Sequence, residues 1–289
     1  MTATTHTVDL APMNLEIRTM SRGELELAID WAAAEGWNPG LADATPFQVA
    51  DPAGFLIGLV DGTPAAVISV VRYGQDFGFL GLYIAAPAHR GHGHGLRLWQ
   101  AGLDHLHGRT IGLDGVVAQQ ANYRRSGFSY AWPNFRYGVA LEGRADPRLI
   151  DARTLPFTAI ERLDRALFPA PRSAFLAAWL AMPESRSLAL VEDGELTGLG
   201  TIRRCRQGYK VGPLYAPGRA PAERLLRGLA SSADGEELFL DLPGPNTAGI
   251  AIASDLGLDV RFETARMFRG LAPDLPLERV FGITTFELG

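Results

Sequence analysis

The sequence predicts a mixed α+β protein with a mostly antiparallel central sheet flanked by helices, built as two tandem domains of like architecture. Three observations predict it. One order of elements (strand, two helices, three strands, helix, strand, helix, strand) occurs twice along the 289 residues. Each pass places an Asp-Gly pair, Asp61-Gly62 and then Asp193-Gly194, between two strand-like runs, which is a strong hairpin signal. Each pass also sets a glycine and a large apolar residue, Gly127-Phe128 and Gly257-Leu258, between its last helix and last strand. The length suits two domains, and a 47% hydrophobic content lets either half bury a core.

The elements follow from local pattern. Asn14–Thr19 alternates polar and apolar side chains, as a half-buried strand does. Ser21-Arg22-Gly23-Glu24 is a capping box, and Leu25, Ala28, Ile29 and Ala32 fall on one face of the helix it opens, which ends near Gly36. A short helix follows at Asp43–Ala50. Phe55–Val60 and Pro64–Arg72 form the first hairpin, and Phe77–Ile84 is the next strand. Gly93–His107 reads as a helix burying Leu96, Leu98, Trp99 and Leu103. Asp114–Ala118 is a strand, Gln119–Ser126 a helix, and Phe128–Tyr130 and Phe135–Leu141 are closing strands.

A polar linker, residues 143–148, separates the first domain (14–142) from the second (149–289). The second has strands at Leu149–Ala152, Ser187–Val191, Thr197–Arg206, Tyr209–Tyr215, Glu237–Leu242 and Val260–Met267. Its helices are at Phe157–Phe168, Arg172–Ala181, Ala220–Ser231 and Asn246–Leu256. The closing run Val280–Leu288 (VFGITTFEL) is strand-like, too apolar for solvent, and expected to pack on the second domain.

Composition excludes several functions. The formal net charge is −5 and the single lysine is Lys210, so there is no basic stripe for nucleic acid. The one cysteine, Cys205, allows no intrachain disulfide and reads as a passive strand residue. The opening MTATTHTVDLAPM lacks a signal-peptide pattern, and residues 1–13 are expected to be disordered. No run approaches the ~20 apolar residues of a membrane helix. A cytoplasmic protein without a membrane partner is expected.

The chemistry centres on Arg90-Gly91-His92-Gly93-His94-Gly95, between a buried strand and a helix. A helix start offers unpaired N–H groups and the positive end of the dipole, and glycines let phosphate oxygens come close. A pyrophosphate is the natural guest. The loop is not a P-loop, since no Gly-Lys-Ser/Thr follows, and its glycine spacing is not the dinucleotide fingerprint. His89, His92 and His94 lack a Cys or carboxylate to complete a metal site, so no metal is expected.

These residues resemble the Gcn5-related N-acetyltransferase (GNAT) superfamily. Its motif Arg/Gln-x-x-Gly-x-Gly/Ala is matched by Arg90, Gly93 and Gly95, with Pro87 three residues before Arg90. The resemblance implies an acetyl-CoA cosubstrate. Its pyrophosphate would lie on the amides of His92, Gly93, His94, Gly95 and Leu96, beside Arg90 and Gly91. Tyr83, Ile84 and Ala85 would pair with the pantetheine arm. The family's Tyr-x-x-x-Gly-Phe is matched by Tyr123 through Gly127 and Phe128. Tyr123 is thereby implied as the acid that protonates the departing thiolate, a role open to a phenol of pKa ~10. The usual family carboxylate is missing from the central strand, where Leu82, Tyr83 and Ile84 stand. The base is left open among Asp76, Asp114, Glu35, Asp43 and a water chain.

A narrower resemblance, to tandem-domain acetyltransferases related to the YitH and HolE proteins, rests on three segments: Glu35 to Gly40 with Asp43, Gly112 to Gly115 through Gln119, and Gly282 to Gly289. It covers nearly the whole chain. The first helix and following loop wall the acceptor site in this fold, which makes Trp37, Asn38 and Asp43 acceptor candidates, with Asp114 beside the cleft. An aromatic face near a carboxylate suits a cationic amine.

The matching loop of the second half, Val211 to Ala222, has no Gly-x-Gly after Arg219, and Pro221 removes a donor. A degenerate second domain follows, lending structure and part of the acceptor pocket, with Tyr215 and Asp241 at strand ends facing the cleft. Two fused copies imply a monomer, a pseudo-dimer within one chain, or a weak homodimer. The expected reaction is direct acetyl transfer from acetyl-CoA to the primary amine of a small molecule. The alternatives are an acyl-CoA-binding sensor without chemistry and an acetyltransferase acting on a protein amine.

Overall fold

A computed structural model describes residues 15–289. The segment expected to be disordered, 1–13, and Asn14 at the head of the first predicted strand lie outside the described residues.

The first half runs β1 (Leu15–Thr19), α1 (Arg22–Ala34), α2 (Ala44–Ala50), β2 (Phe55–Val60), β3 (Thr63–Tyr73), β4 (Phe77–Ala85), α3 (His94–His105), β5 (Thr110–Val116), α4 (Gln120–Arg125) and β6 (Ser129–Ala140). The second runs β7 (Leu149–Asp151), α5 (Phe157–Arg165), α6 (Ser173–Leu180), β8 (Ser185–Glu192), β9 (Glu195–Arg204), β10 (Tyr209–Tyr215), α7 (Arg219–Ala230), β11 (Glu237–Pro243), α8 (Thr247–Asp255), β12 (Asp259–Arg269) and β13 (Val280–Gly282). The predicted order is present twice. The capping box at Ser21 forms, with Glu24 returning its bond, and both Asp-Gly turns take positive φ.

Among the described residues thirteen strands join one sheet, ordered β1-β2-β3-β4-β5-β12-β6-β11-β10-β9-β8-β7, with β13 branching onto β10. The order shows what periodicity did not. The last strand of each half has crossed into the other: β12 lies between β5 and β6, and β6 lies between β12 and β11. The halves are therefore not separately closed units.

Buried cross-strand ion pairs hold this exchange. Asp114 on β5 stands opposite Arg266 on β12, bonded through both guanidinium arms at 2.7 Å. Arg136 on β6 stands opposite Asp241 on β11, again bidentate at 2.7 Å. Opposite charges at facing positions stabilise a register, and two arginine forks fix geometry as well as charge.

Helix faces fill the remaining core as expected from their spacing. Leu98, Trp99 and Leu103 of α3 pack with Ile68 and Val70 of β3, and Leu225, Leu226 and Leu229 of α7 pack in the second half. One predicted core residue fails: Leu96 is 69% exposed, because its turn faces the cleft mouth. The two closing strands predicted at Phe128–Tyr130 and Phe135–Leu141 are one strand, β6, which carries Pro133 within its ladder to β12.

The closing segment also departs from expectation. Only Val280–Gly282 is a strand. Beyond it the chain leaves the sheet and is gripped by both halves. Ser69 donates to the Glu287 carbonyl (3.2 Å) and Tyr73 to that of Leu288 (3.1 Å), both from β3. From the second half, Arg172 donates to Thr284 Oγ1 (2.9 Å) and the Gly289 oxygen (3.2 Å). The segment packs between the halves because its apolar residues find a core on each side.

Candidate active site

The site begins where two parallel strands part. β4 and β5 pair from Phe77–Thr110 to Leu80–Leu113 and no further. Leu82 takes φ 44, and the β3–β4 register shifts opposite it, between Val67 and Ser69. Such a bulge bends a strand and frees backbone groups from the ladder. Beyond it a cleft of about 1210 Å³ opens. Tyr83, Ile84 and Ala85 line one wall, and Asp114, Gly115 and Val116 the other.

The glycine loop meets the cleft at the start of α3. Gly91 and Gly93 both have φ near 80, the left-handed region, and open space stands where their side chains would be. The first amide bonded back within the turn is that of Arg97, to the Gly93 carbonyl at 3.1 Å. The preceding amides, through Leu96, are the unpaired donors of a helix start. At Gly95 a Cβ would lie 2.7 Å from the Tyr83 hydroxyl, so glycine is needed for the loop to sit against β4. Arg90 lines the same cleft, held by the Ala85 carbonyl (2.9 Å) and the Glu35 carboxylate (2.5 Å). These features fit a pyrophosphate: clustered amides, an arginine, and no side chain in the way.

His89, His92 and His94 gather at the loop, with neighbouring ring centroids 5.9 to 6.0 Å apart. Burial, then the charges of His89 and His92, lowers the pKa of His94. Among the described residues no group of three or more His, Cys, Asp or Glu is placed to hold a metal ion.

Tyr123, on α4, is buried and lines the cleft. Its ring stacks on Trp99 at 5.6 Å, which in turn packs edge-on to Tyr83 at 5.1 Å. Burial, then the nearby Tyr83, pushes the Tyr123 phenol up to about 12, with the Val116 backbone acting against it. It is thus held as a proton donor throughout the neutral range.

The acceptor candidates divide. Trp37 lines the cleft, with Phe262 and Phe286. Asn38 does not: its side chain donates to the Gln207 carbonyl and accepts from the Gln207 amide, both at 2.9 Å, clamping two loops. Asp43 does not either. It is fully buried, bonded to Arg203 (2.8 Å) and to the Gly40 amide (2.8 Å). Its partner lies 160 residues on, so its role is to tie the first half to the second. Asp114 lines the cleft, but both carboxylate oxygens are engaged, by Arg266 and by Asn134 at 2.6 Å. Burial raises its pKa against the pull of Arg266.

Of the further base candidates, Glu35 is committed to Arg90, and Asp76 lies at the closed end of the β4–β5 pair, where its carbonyl accepts from Thr110. Tyr215 and Asp241 do not face the cleft. Tyr215 donates to Asp164 (3.2 Å), and Asp241 is held below the usual carboxylate range by Arg136 despite its burial. Among the cleft residues of the second half that went unread in the sequence are Phe262, Thr264 and Arg269 on β12. The strand exchange brings them in, and no local pattern signals it.

The fold and cleft define a tandem acyltransferase architecture, and the chain belongs to the GNAT acetyltransferase family. The Acetyltransferase (GNAT) family model matches residues 22–128, and the Acetyltransferase (GNAT) domain model matches 160–282. A Holothin acyltransferase from Pseudoalteromonas sp. (strain SANK 73390) is 32% identical over 270 residues, covering 92% of each chain. A crystal structure from Pyrococcus horikoshii superposes with TM-score 0.80 at 20% identity, over 98% of this chain and 99% of that one. A tandem GNAT protein from the clavulanic acid biosynthesis pathway gives 0.61 at 16% identity, over 90% and 100%. Family and relative support acyl transfer as the activity class. No described helix is long and apolar enough to cross a membrane.

Proposed function

We propose that the chain moves an acetyl group from acetyl-CoA to the primary amine of a small molecule by direct attack, acting as a monomer. The observation that carries this reading is the parting of β4 from β5 beyond Leu80–Leu113, with Arg90 and Leu96, which flank the glycine loop, and Tyr123 lining the same cleft. The cosubstrate supplies an activated thioester. The amides from His92 to Leu96 would hold its pyrophosphate, with Arg90, Gly91 and Gly93 around it, and the Tyr83–Ala85 edge its pantetheine. Tyr123 would donate its hydroxyl proton to the sulfur that leaves. Trp37, Phe262 and Phe286 give the acceptor end an apolar, aromatic wall.

The acceptor class draws on the relative, which is named as a holothin acyltransferase and not for a protein acceptor. A panel of 2-phenylethylamine, tryptamine, 1,4-diaminobutane and an unblocked peptide, followed by thiol release from acetyl-CoA, tests the reading. Turnover of the small amines supports it. Turnover of the peptide alone assigns a protein amine instead, and acetyl-CoA binding without any turnover assigns a sensor.

A further inference from the structure

Three carboxylate-bearing residues are among those lining the cleft: Glu35, Asp114 and Glu287. Glu35 is paired to Arg90, and Asp114 has both oxygens occupied. Glu287 differs. It is 3% exposed, and its Oε2 has no hydrogen-bond partner among the described residues. A carboxylate without a partner is costly to bury unless a ligand or proton completes it.

Its position is set by backbone. The Glu287 carbonyl takes the Ser69 hydroxyl at 3.2 Å, and its amide donates to Thr285 Oγ1 at 3.1 Å. The tail backbone there packs on Gly81, next to the bulge at Leu82 where the strands part. The charged groups facing Glu287 are Arg136 on β6, Arg203 on β9 and Lys210 on β10. Arg136 is bound to Asp241 and Arg203 to Asp43, while Lys210 Nζ has no partner among the described residues.

We propose that Glu287, delivered by the closing segment, is the general base that the central strand lacks; this rests on the acetyl-transfer reading above. The acceptor nitrogen forms its bond to the thioester carbonyl carbon and gives one proton to the Glu287 carboxylate. The carbon–sulfur bond breaks, and the sulfur takes the Tyr123 hydroxyl proton. Glu287 then returns its proton through solvent to the tyrosinate, restoring both groups. The aromatic walls beside it hold the body of the acceptor; an acceptor that arrives as ammonium pairs with the carboxylate and releases one proton to solvent, so that the neutral amine is the species that attacks.

The test uses the full chain with Glu287→Gln, which keeps the shape and removes the base. The probe is the faster of 2-phenylethylamine and tryptamine. The expected loss in kcat is about 100- to 10,000-fold, with the acetyl-CoA Kd unchanged. The loss should shrink as pH rises, because hydroxide replaces the missing base. A second readout needs no turnover. By calorimetry on the coenzyme A-loaded enzyme, the variant should bind the amine about tenfold or more weakly, yet bind 2-phenylethanol or tryptophol as the wild type does. A kcat within threefold of wild type, or a loss uniform in pH with alcohol binding equally impaired, overturns the proposal and leaves acetyl transfer standing. A wild type that binds acetyl-CoA and acetylates no amine overturns both.

Discussion

The backbone of Glu287 occupies the space a side chain on residue 81 would need. A Cβ on Gly81 would come within 2.9 Å of the Glu287 Cα and run into its carbonyl oxygen. Two segments more than 200 residues apart are thus fitted to each other at the point where β4 leaves β5.

Gly81→Ala is expected to push the tail away from the bulge. Backbone, not a mobile side-chain end, must yield, so stability should fall by about 1–3 kcal/mol. Urea unfolding reads this. Turnover should fall by more than acetyl-CoA affinity does, since the loop of α3 is untouched.

Tyr123→Phe is expected to lower kcat by about 100- to 10,000-fold while acetyl-CoA still binds. Burial disfavours the phenolate, which is why the phenol is pushed up to about 12. The donor form therefore persists as pH rises, and no fall in wild-type rate from this group should appear below that value. A kcat–pH profile to pH 10, together with the variant's turnover, checks both points.

Asp43→Asn leaves the buried Arg203 without its counter-charge. Breaking a buried pair in this way costs about 3–5 kcal/mol, read by urea unfolding. In folded variant protein the acceptor KM should match wild type, since Asp43 does not reach the cleft; a raised KM alone would restore it to the acceptor site.

Asp51 ties β3 to α3, accepting from Arg72 Nε at 2.8 Å and lying 3.3 Å from His105 Nε2. Burial alone would raise its pKa, but His105 and Arg72 outweigh it and hold the carboxyl well below its usual range. A depressed folded value means the stabilisation is present above the unfolded pKa of about 3.9 and disappears as pH falls below it. Asp51→Asn should lower stability at pH 7 by about 1.5–3 kcal/mol and flatten the acid limb of a stability–pH curve below about pH 4.

Local pattern made most of the elements legible. The capping box at Ser21, the Asp-Gly turns and the spacing of Leu98, Trp99 and Leu103 are short-range signals, and the elements they mark are present. The glycine loop was legible because its context, strand before and helix after, lies within a few residues. What stayed hidden depends on partners far along the chain. Asp43 looks like an acceptor-site carboxylate until Arg203 is seen beside it. The crossing of β12 and β6 follows from which edges meet, and alternation along a strand says nothing of its neighbour. Glu287 carried one signal, a lone charge in the otherwise uncharged run VFGITTFEL, whose apolar character implied burial on the second domain but not the contacts with β3 of the first.

The crossing of strands also sets an order on biosynthesis. When the first half leaves the ribosome, the edge of β5 lacks its native neighbour, since β12 is yet to be translated. At ~5–20 residues per second that edge waits about 7–30 seconds, open to pairing with other nascent chains. The aromatic wall from Phe262 and Phe286 is translated well after the glycine loop and Tyr123. A polypeptide stopped after residue 142 would carry the glycine loop and Tyr123 and still have no finished place for an acceptor.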